Sequence, residues 1–211
     1  MDLISEKIIN YSLLHSKKES ELLKNLYRET YLKVLNPRMI CSPLQGRLLS
    51  ILSKIIKPKK ILEIGTFTGY STLCLAEGLS AKGEIHTIDN NEELLTIQKQ
   101  YFNNSAYKKN IIQHLGDALN LIPKLNHSFD LIFLDADKIN YINYYKIIIP
   151  KLKSGGLLIS DNVLWSGKVI SNSMDKETNI LKKYNKLVNK DPRMESVLLP
   201  IRDGITLSIK V

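Results

Sequence analysis

The fold of this chain is decided by residues 60–69, which read KILEIGTFTG. The first five residues form a short apolar run typical of a buried strand, and the run ends at a turn that carries two glycines. A helical pattern follows at Thr72–Glu77. A strand, a glycine-containing turn and a helix in this order predict the opening of a βαβ unit, and with it an α/β fold.

The same alternation continues along the chain from this stretch. After the strand at Lys60–Ile64, further strands are predicted at Glu84–Ile88, Asn110–Leu115, Phe129–Leu134 and Leu157–Ser160. The later helices are predicted at Glu92–Phe102, Asp117–Leu125 and Tyr141–Leu152. Strands that alternate with helices at a spacing of about 25 residues form right-handed crossovers, so these five strands should build a parallel sheet.

The C-terminal part of the sequence has a different pattern. A helix is predicted near Lys176–Asn189, and two strand runs follow at Glu195–Pro200 and Ile205–Val211. The connection between the two runs contains Asp203-Gly204, and Asp-Gly is a strong signal for a tight hairpin turn. The sheet should therefore be doubly wound, seven-stranded and mostly parallel, and it should end in an antiparallel β-hairpin.

Helices are also predicted before the first strand. Apolar residues recur at helical spacing in one or two amphipathic helices within residues 2–35, and in another helix from about Leu44. A length of 211 residues suits a single domain. We therefore interpret residues 1–211 as one domain, with residues 1–56 as an N-terminal helical cap and residues 57–211 as the α/β core.

The composition excludes several classes of protein. The apolar fraction is 44% and the charged fraction 24%, as in an ordinary globular chain. The apolar stretches are far shorter than the roughly 20 residues that span a bilayer, and the N-terminus does not resemble a signal peptide. We therefore expect a cytoplasmic protein with no membrane partner. Cys41 and Cys74 lack CxxC spacing, so we expect buried or idle thiols.

The net charge leaves two interpretations open. The formal charge is +9, from 30 basic and 21 acidic residues, and a basic balance is typical of proteins that bind nucleic acid or another anion. Most of the basic residues are lysines, however, and they lie in predicted solvated helix faces and turns. Phosphate recognition usually favours arginine, so the composition favours the solvated interpretation.

Acidic residues mark the carboxyl ends of the first three predicted strands, where ligands bind in open α/β sheets. Glu63 lies in the first strand, Asp89 ends the second and Asp117 follows the third. The turn after the first strand lacks both the GxGxxG and the P-loop patterns. Carboxylates without a phosphate-binding loop favour a ligand that combines adenosine with a cation, and S-adenosylmethionine has this chemistry. Asp89 and Asp117 have a second interpretation, as helix caps or turn formers.

A second acidic group follows the fourth and fifth predicted strands. Asp135 comes after the fourth strand and Asp161-Asn162 after the fifth, so adjacent strands should bring three oxygen ligands together. Hard divalent ions such as Mg²⁺ prefer such ligands and keep open positions for a diol and a water. Lys138 lies three residues beyond Asp135, either as a general base or as an ordinary surface lysine. Zinc and copper are disfavoured because these motifs contain no His or Cys, and we interpret the scattered histidines as structural or surface residues. They are His15, His86, His114 and His127.

These motifs together resemble the cation-dependent class I S-adenosylmethionine O-methyltransferases, the family of catechol and caffeoyl-CoA O-methyltransferases and their bacterial relatives. The resemblance covers about residues 36–211. It rests on LEIG at 62–65 with Gly69-Tyr70-Ser71, on FLDADK at 133–138 with Tyr141 and Tyr144, on DNVLWSGKV at 161–169, on Met39 and Gln45-Gly46, and on Leu199-Pro200 and Asp203-Gly204. Each motif alone is weak, but their combination is highly specific.

The resemblance implies a Rossmann-like fold, a bound cofactor and a metal site. It implies a Mg²⁺ site, or a site for another hard cation such as Mn²⁺ or Ca²⁺, made by Asp135, Asp161 and Asn162, with Lys138 as the catalytic base. It also implies a homodimer. The residues it places near S-adenosylmethionine are Met39, Glu63, Gly65, Thr66, Ser71, Asp89, Asp117, Ala118 and Asp135.

The expected activity is Mg²⁺-dependent methylation of one hydroxyl of a catechol-like vicinal diol. One alternative is a tRNA 5-hydroxyuridine O-methyltransferase of the same family, and another is a non-catalytic nucleotide-binding module. Arg202 departs from the family, which usually has a small residue before the late Asp-Gly. We interpret Arg202 as a solvent-facing turn residue; if it instead points toward the active-site mouth, it would favour an anionic substrate.

Overall fold

The computed structural model describes residues 4–172 and 175–211, and a seven-stranded sheet lies at its centre. The strands are β1 (Lys60–Ile64), β2 (Glu84–Asp89), β3 (Ile111–Leu115), β4 (Phe129–Leu134), β5 (Leu152–Asp161), β6 (Met194–Leu199) and β7 (Ile205–Lys210). Their order is β3-β2-β1-β4-β5-β7-β6, with β1 to β5 parallel and β7 antiparallel to both β5 and β6. The predicted doubly wound sheet with a terminal antiparallel hairpin is confirmed.

Eight α-helices surround this sheet in the described part of the chain. They are α1 (Glu6–Leu14), α2 (Glu21–Lys33), α3 (Pro43–Ile56), α4 (Tyr70–Ala76), α5 (Leu95–Asn103), α6 (Ala118–Leu121), α7 (Tyr141–Ile148) and α8 (Lys176–Lys190). The Ser20 hydroxyl begins α2 by accepting a hydrogen bond from the Leu23 N–H, and Ser42 begins α3 in the same way. No helix among the residues described has the length and apolar character needed to cross a membrane.

The prediction was wrong about where α7 ends and β5 begins. The helix stops at Ile148, and a short 3-10 turn at Ile149–Lys151 follows, because Pro150 has no N–H to continue the helical pattern. Leu152 is therefore already in β5, where it pairs with Phe129. Gly155 and Gly156 lie inside this longer strand, at a shift in its register with β4.

The sheet buries both of its faces. Ile61 of β1 packs with α2, α3 and α4 on one face, and Leu62 and Ile64 pack with α6, α7 and α8 on the other. All three side chains are almost inaccessible to solvent. A strand buried on both faces needs a continuous apolar run, which is why residues 60–64 identify β1 in the sequence. This packing fixes the carboxyl ends of the parallel strands relative to one another.

Candidate active site

A cleft of about 1780 Å³ opens at the carboxyl ends of the parallel strands. Pockets for one small ligand usually measure about 300–1,000 Å³, so this cleft has room for two reactants side by side. It brings together all but one of the residues predicted for cofactor, metal and base. Those that line it are Met39, Gly65, Thr66, Ser71, Asp89, Asp117, Ala118, Asp135, Lys138, Asp161 and Asn162.

The turn after β1 packs directly against the backbone that follows β4. Gly65 has φ +100°, and a Cβ at this position would lie 2.1 Å from the carbonyl oxygen of Asp135. Only glycine fits here, for both steric and conformational reasons. Phe67 also has a positive φ, and its N–H donates to Asp89 Oδ2 at 2.7 Å. The turn therefore connects the ends of β1, β2 and β4 at one point.

Glu63 is the predicted cofactor residue that does not line the cleft. Its side chain is fully buried behind the turn, where Oε2 accepts hydrogen bonds from the hydroxyls of Thr72 and Thr87. Burial raises the pKa of this carboxyl to about 7, although the nearby hydroxyls act in the opposite direction. In this structure Glu63 holds β1, β2 and α4 together beneath the turn.

We expect Glu63→Gln to change how stability depends on pH. A folded-state pKa of about 7 lies above the ordinary value of 4.5, so the folded state binds this proton more tightly than the unfolded state. The wild type should therefore lose stability as pH rises from about 4.5 to 7, by on the order of 3 kcal/mol from this group. Glutamine stays neutral, so the variant should gain stability relative to the wild type over that range in urea unfolding.

Glu77→Gln is the matched control with the opposite sign. Hydrogen bonds from Arg47, Lys54 and Ser50 outweigh burial and lower the pKa of Glu77 to about 2. The stabilisation from Glu77 is thus present above about pH 4.5 and is lost as pH falls through 2. A Glu63→Gln variant whose stability ran parallel to the wild type from pH 4.5 to 7 would contradict the assignment of a buried, proton-binding carboxyl.

Asp89 and Asp117 have structural roles and also face the cleft. Asp89 Oδ1 accepts from the Asn91 N–H at 2.9 Å, and Asp117 begins α6 by accepting from the Leu119 N–H at 2.8 Å. The short helical turn after β2 is capped by Asn91 rather than Asp89. Each carboxylate keeps lone pairs for a ligand, so the two interpretations from the sequence are compatible.

Lys138 is held between a carboxylate and a phenol at the end of β4. Its Nζ donates to Asp135 Oδ1 at 2.9 Å and to the Tyr141 hydroxyl at 2.7 Å. Tyr141 in turn donates to the backbone carbonyl of Asp161 at 2.8 Å. The Lys138 side chain is only 7% exposed, so it is not the ordinary surface lysine that its spacing alone allowed. Tyr141, on the first turn of α7, is a site residue to which we assigned no role from the sequence.

Arg202 is not the solvent-facing turn residue that we expected. The guanidinium is half-buried at the cleft, where Nη1 donates to Gln45 Oε1 at 2.9 Å and Nη2 to the Arg38 carbonyl at 2.8 Å. The Gln45 amide nitrogen then donates to Asp161 Oδ2 at 2.5 Å. Because Arg202 occupies the amide oxygen, it fixes which end of Gln45 faces Asp161. The loop before β7 and helix α3 are distant in sequence, so no local pattern could show this contact.

The residues at the ends of β4 and β5 fit a hard divalent cation. Asp161 is almost completely buried, and burial together with the Asp135 carboxylate raises its pKa to about 7, while Lys138 acts in the opposite direction. A cation between the two carboxylates would offset that repulsion. Cys41, which lies outside the two acidic motifs in the sequence, is also close to both carboxylates. Burial raises the pKa of its thiol well above the ordinary value, so oxygen donors remain the available ligands.

The histidines are not scattered as the sequence indicated. His86, His114 and His127 lie together with Glu84 outside the cleft; Glu84 and His127 are at the amino ends of β2 and β4, His114 is next to last in β3, and His86 Nδ1 is 3.0 Å from His114 Nε2. His15 lies apart at the end of α1, stacked on Tyr11. Strands β2 and β3 and the loop before β4 bring the first three together, which a sequence without strand register does not reveal.

The family, sequence and structure comparisons all identify O-methyltransferases as relatives of this chain. The model of the O-methyltransferase family matches residues 14–211. A caffeoyl-CoA O-methyltransferase of Stellaria longipes is 34% identical over 221 residues, which cover 98% of this chain and 91% of the relative. An O-methyltransferase of Bacillus cereus, solved in complex with SAH, superposes with a TM-score of 0.90 at 27% identity over 97% of each chain. TomG of Streptomyces achromogenes, solved with SAM, gives 0.89 at 25% identity and covers 99% of this chain and 100% of that one.

Proposed function

Because the chain belongs to the O-methyltransferase family and is an S-adenosylmethionine-dependent O-methyltransferase, we propose that it methylates one hydroxyl of a catechol-like vicinal diol with the help of Mg²⁺. The observation that carries the proposal is the placement of Asp135, Asp161 and Lys138 in the same cleft as the turn after β1. The non-catalytic nucleotide-binding module is set aside, since the relatives of this chain are O-methyltransferases.

The half of the cleft formed by β1, β2 and β3 is proposed to hold S-adenosylmethionine. Asp89 and Asp117 offer carboxylate oxygens for the ribose hydroxyls and the adenine amino group. Thr66 and Ser71 lie at the turn between them and the metal residues, and Met39 covers the opening from the short helical turn at Pro37–Met39. A cofactor held in this way would have its methyl-bearing end next to Asp135 and Lys138, which line the neighbouring part of the same cleft.

We expect Asp89→Asn to weaken the binding of S-adenosylmethionine. A hydrogen bond to a charged group contributes about 1.5–3 kcal/mol, so the loss of the carboxylate should raise the dissociation constant roughly 10- to 100-fold. Isothermal titration with the cofactor measures this directly. Asp130→Asn is the control, because Asp130 lies at the amino end of β4 and accepts from the backbone of Lys59 and Lys60. Equal affinities of the Asp89 variant and the wild type would contradict the ribose assignment.

The half of the cleft at β4 and β5 is proposed to hold the acceptor. Asp135, Asp161 and Asn162 would provide the oxygen ligands for Mg²⁺, which when bound lowers the pKa of a hydroxyl that it contacts. Lys138 lies beside Asp135, and in its neutral amine form it would accept the proton of that hydroxyl and become the ammonium that pairs with Asp135. The acceptor oxygen then forms its bond to the methyl carbon as the bond from carbon to sulfur breaks, and S-adenosylhomocysteine leaves. Much of the acceleration comes from holding both reactants in line.

The test is a methyl-transfer assay with labelled S-adenosylmethionine. A panel of catechols and bulk hypomodified tRNA are offered side by side, each with Mg²⁺ and with EDTA. Label on a catechol that disappears with EDTA supports the proposal. Label that appears with EDTA as readily as with Mg²⁺ contradicts the metal assignment, and an absence of label on every vicinal diol contradicts the acceptor class.

One observation favours tRNA as the second candidate acceptor. Arg38 and Arg202 line the cleft together with Tyr27, Tyr31 and Trp165. Aromatic side chains and guanidinium groups are the surfaces on which single-stranded RNA bases stack. If tRNA is the acceptor, its labelling should fall steeply as salt rises, because phosphate contacts release counterions. Catechol labelling should depend little on salt.

We also propose that the enzyme works as a homodimer. Apolar side chains on the N-terminal helices are exposed, among them Ile8, Tyr11 and Leu14 of α1 and Leu32 of α2. A second copy of the chain would cover such a surface. Light scattering after gel filtration should give twice the chain mass of 24.1 kDa. A monomer mass at micromolar concentration would contradict this proposal and leave the proposed chemistry unaffected.

A further inference from the structure

We propose that Glu84, His86 and His127 form a second metal site, for a borderline transition-metal ion such as Zn²⁺, outside the active-site cleft. One carboxylate oxygen and one ring nitrogen from each histidine lie within 4.8 Å of one another. Two imidazoles and a carboxylate match the three protein ligands of tetrahedral zinc sites whose fourth position is left for water or another ligand. The set differs in kind from the oxygen ligands of the cleft.

The fold, rather than a local motif, brings these three side chains together. Glu84 begins β2, His86 is two residues further on the same strand, and His127 precedes β4. His86 and His127 have ring centroids 4.9 Å apart, and both contact the Phe129 ring. His86 Nε2 is already 3.0 Å from Glu84 Oε1. Ligands at 2.0–2.1 Å from a tetrahedral zinc ion are separated by about 3.4 Å, so these two atoms need little movement.

His114 of β3 orients His86 for this purpose. In the metal-free protein His86 Nε2 donates to Glu84 Oε1, so Nδ1 of the neutral ring accepts from His114 Nε2, which lies 3.0 Å away. When a metal ion takes the place of the Nε2 proton, the contact with His114 can reverse, and Nδ1 then donates to His114 Nε2. Histidines that bind metals usually donate their other ring nitrogen to a partner in this way.

Lys60 competes for the same carboxylate. Its ammonium forms a hydrogen bond and an ion pair with Glu84 Oε1, and both side chains are 30% exposed. Because Lys60 is at the amino end of β1 and is partly exposed, its ammonium can move into solvent when a divalent ion takes its place. Substitutions of different residues around the site should therefore change its metal affinity in opposite directions. Removal of a ligand weakens binding, whereas removal of Lys60 strengthens it.

The experiment is an isothermal calorimetric titration with Zn²⁺, in the presence of excess Mg²⁺ and without S-adenosylmethionine. It uses the full chain as the wild type, His127→Ala, His114→Ala, Lys60→Met and the control His15→Ala. His114→Ala should bind one Zn²⁺ with an affinity lower by roughly 10- to 100-fold. His127→Ala should lose more than this, Lys60→Met should bind more tightly than the wild type, and His15→Ala should match the wild type.

A second arm separates this site from the cleft, where Cys41, Asp135 and Asp161 also lie close together. Asp161→Ala should keep the Zn²⁺ affinity of the wild type at the histidine site. Loss of Zn²⁺ binding in Asp161→Ala together with unchanged binding in His127→Ala would overturn the proposal, and so would unchanged binding in all variants. The inference does not rest on the methyl-transfer proposal, since no acceptor is used.

Discussion

Asp161→Ala should abolish Mg²⁺-dependent methyl transfer, with a loss of turnover of about a thousand-fold or more. Asp161 is almost completely buried at the end of β5, its carboxylate faces the cleft, and Gln45 orients it. The charge stabilisation supplied by a catalytic metal ion contributes several kcal/mol, and each 1.36 kcal/mol corresponds to a factor of ten in rate. The measurement is turnover of the best acceptor at saturating S-adenosylmethionine and Mg²⁺.

The variant should remain folded and should still bind cofactor. Burial and Asp135 raise the pKa of Asp161 to about 7. Above that pH the carboxyl of the metal-free protein is ionised in surroundings that disfavour the charge, and this lowers the stability of the wild type. Metal-free Asp161→Ala should therefore melt no lower than the wild type at pH 8. Asp137→Ala is the control from the same acidic region, since this carboxylate accepts from Tyr144 and Asn140 instead. Turnover by Asp161→Ala at the wild-type rate would exclude Asp161 as a metal ligand.

Lys138→Met should reduce turnover by roughly 10²- to 10⁴-fold, the usual effect of losing a positioned general base. Methionine keeps the length of the side chain and removes the amine that contacts Asp135 and Tyr141. The loss should shrink as pH rises, because the acceptor hydroxyl then ionises with less help. Rates across a pH series measure both effects, and calorimetry should show that cofactor affinity is retained.

Lys146→Met is the matched control for this variant. Lys146 lies on the exposed face of α7, two turns from the site, and its loss should leave turnover unchanged. A Lys138→Met deficit that stayed constant over the whole pH series would indicate that Lys138 positions Asp135 and Tyr141 rather than accepting a proton.

Much of the fold was predictable because its signals are local. Apolar runs such as Lys60–Ile64 identify strands buried on both faces, and Asp203-Gly204 identifies the terminal hairpin. The end of α7 was misplaced because Pro150 stops the helix that precedes it, and the start of β5 was placed too late because Gly155 and Gly156 are atypical of a strand interior. These errors move boundaries and leave the order of elements unchanged.

The candidate site likewise contains residues that local sequence patterns predict and contacts that only the folded structure shows. Asp89, Asp135 and Asp161 could be found because each ends a strand, and all parallel strands end at the same edge of the sheet. The contact of Arg202 with Gln45 joins parts of the chain that are 157 residues apart, so only the folded structure shows it. The proposed histidine site also depends on strand register. Glu84 and His86 are two residues apart in β2, so their side chains lie on the same face of the sheet, whereas His127 comes from the loop before β4.

The position of β7 has a consequence for the synthesis of this protein. One edge of β5, the strand that ends at Asp161, is covered only when β7 pairs with it, for example through Asp161 and Ile205. The ribosome makes β6 before β7, so β7 is the last strand of the sheet to be synthesised. At about 5–20 residues per second, a ribosome leaves β5 with an unpaired edge for several seconds. During this interval the nascent chain carries an apolar template open to strand addition from other chains. The end of β5 that carries Asp161 is thus one of the last parts of the sheet to be protected from association with other chains.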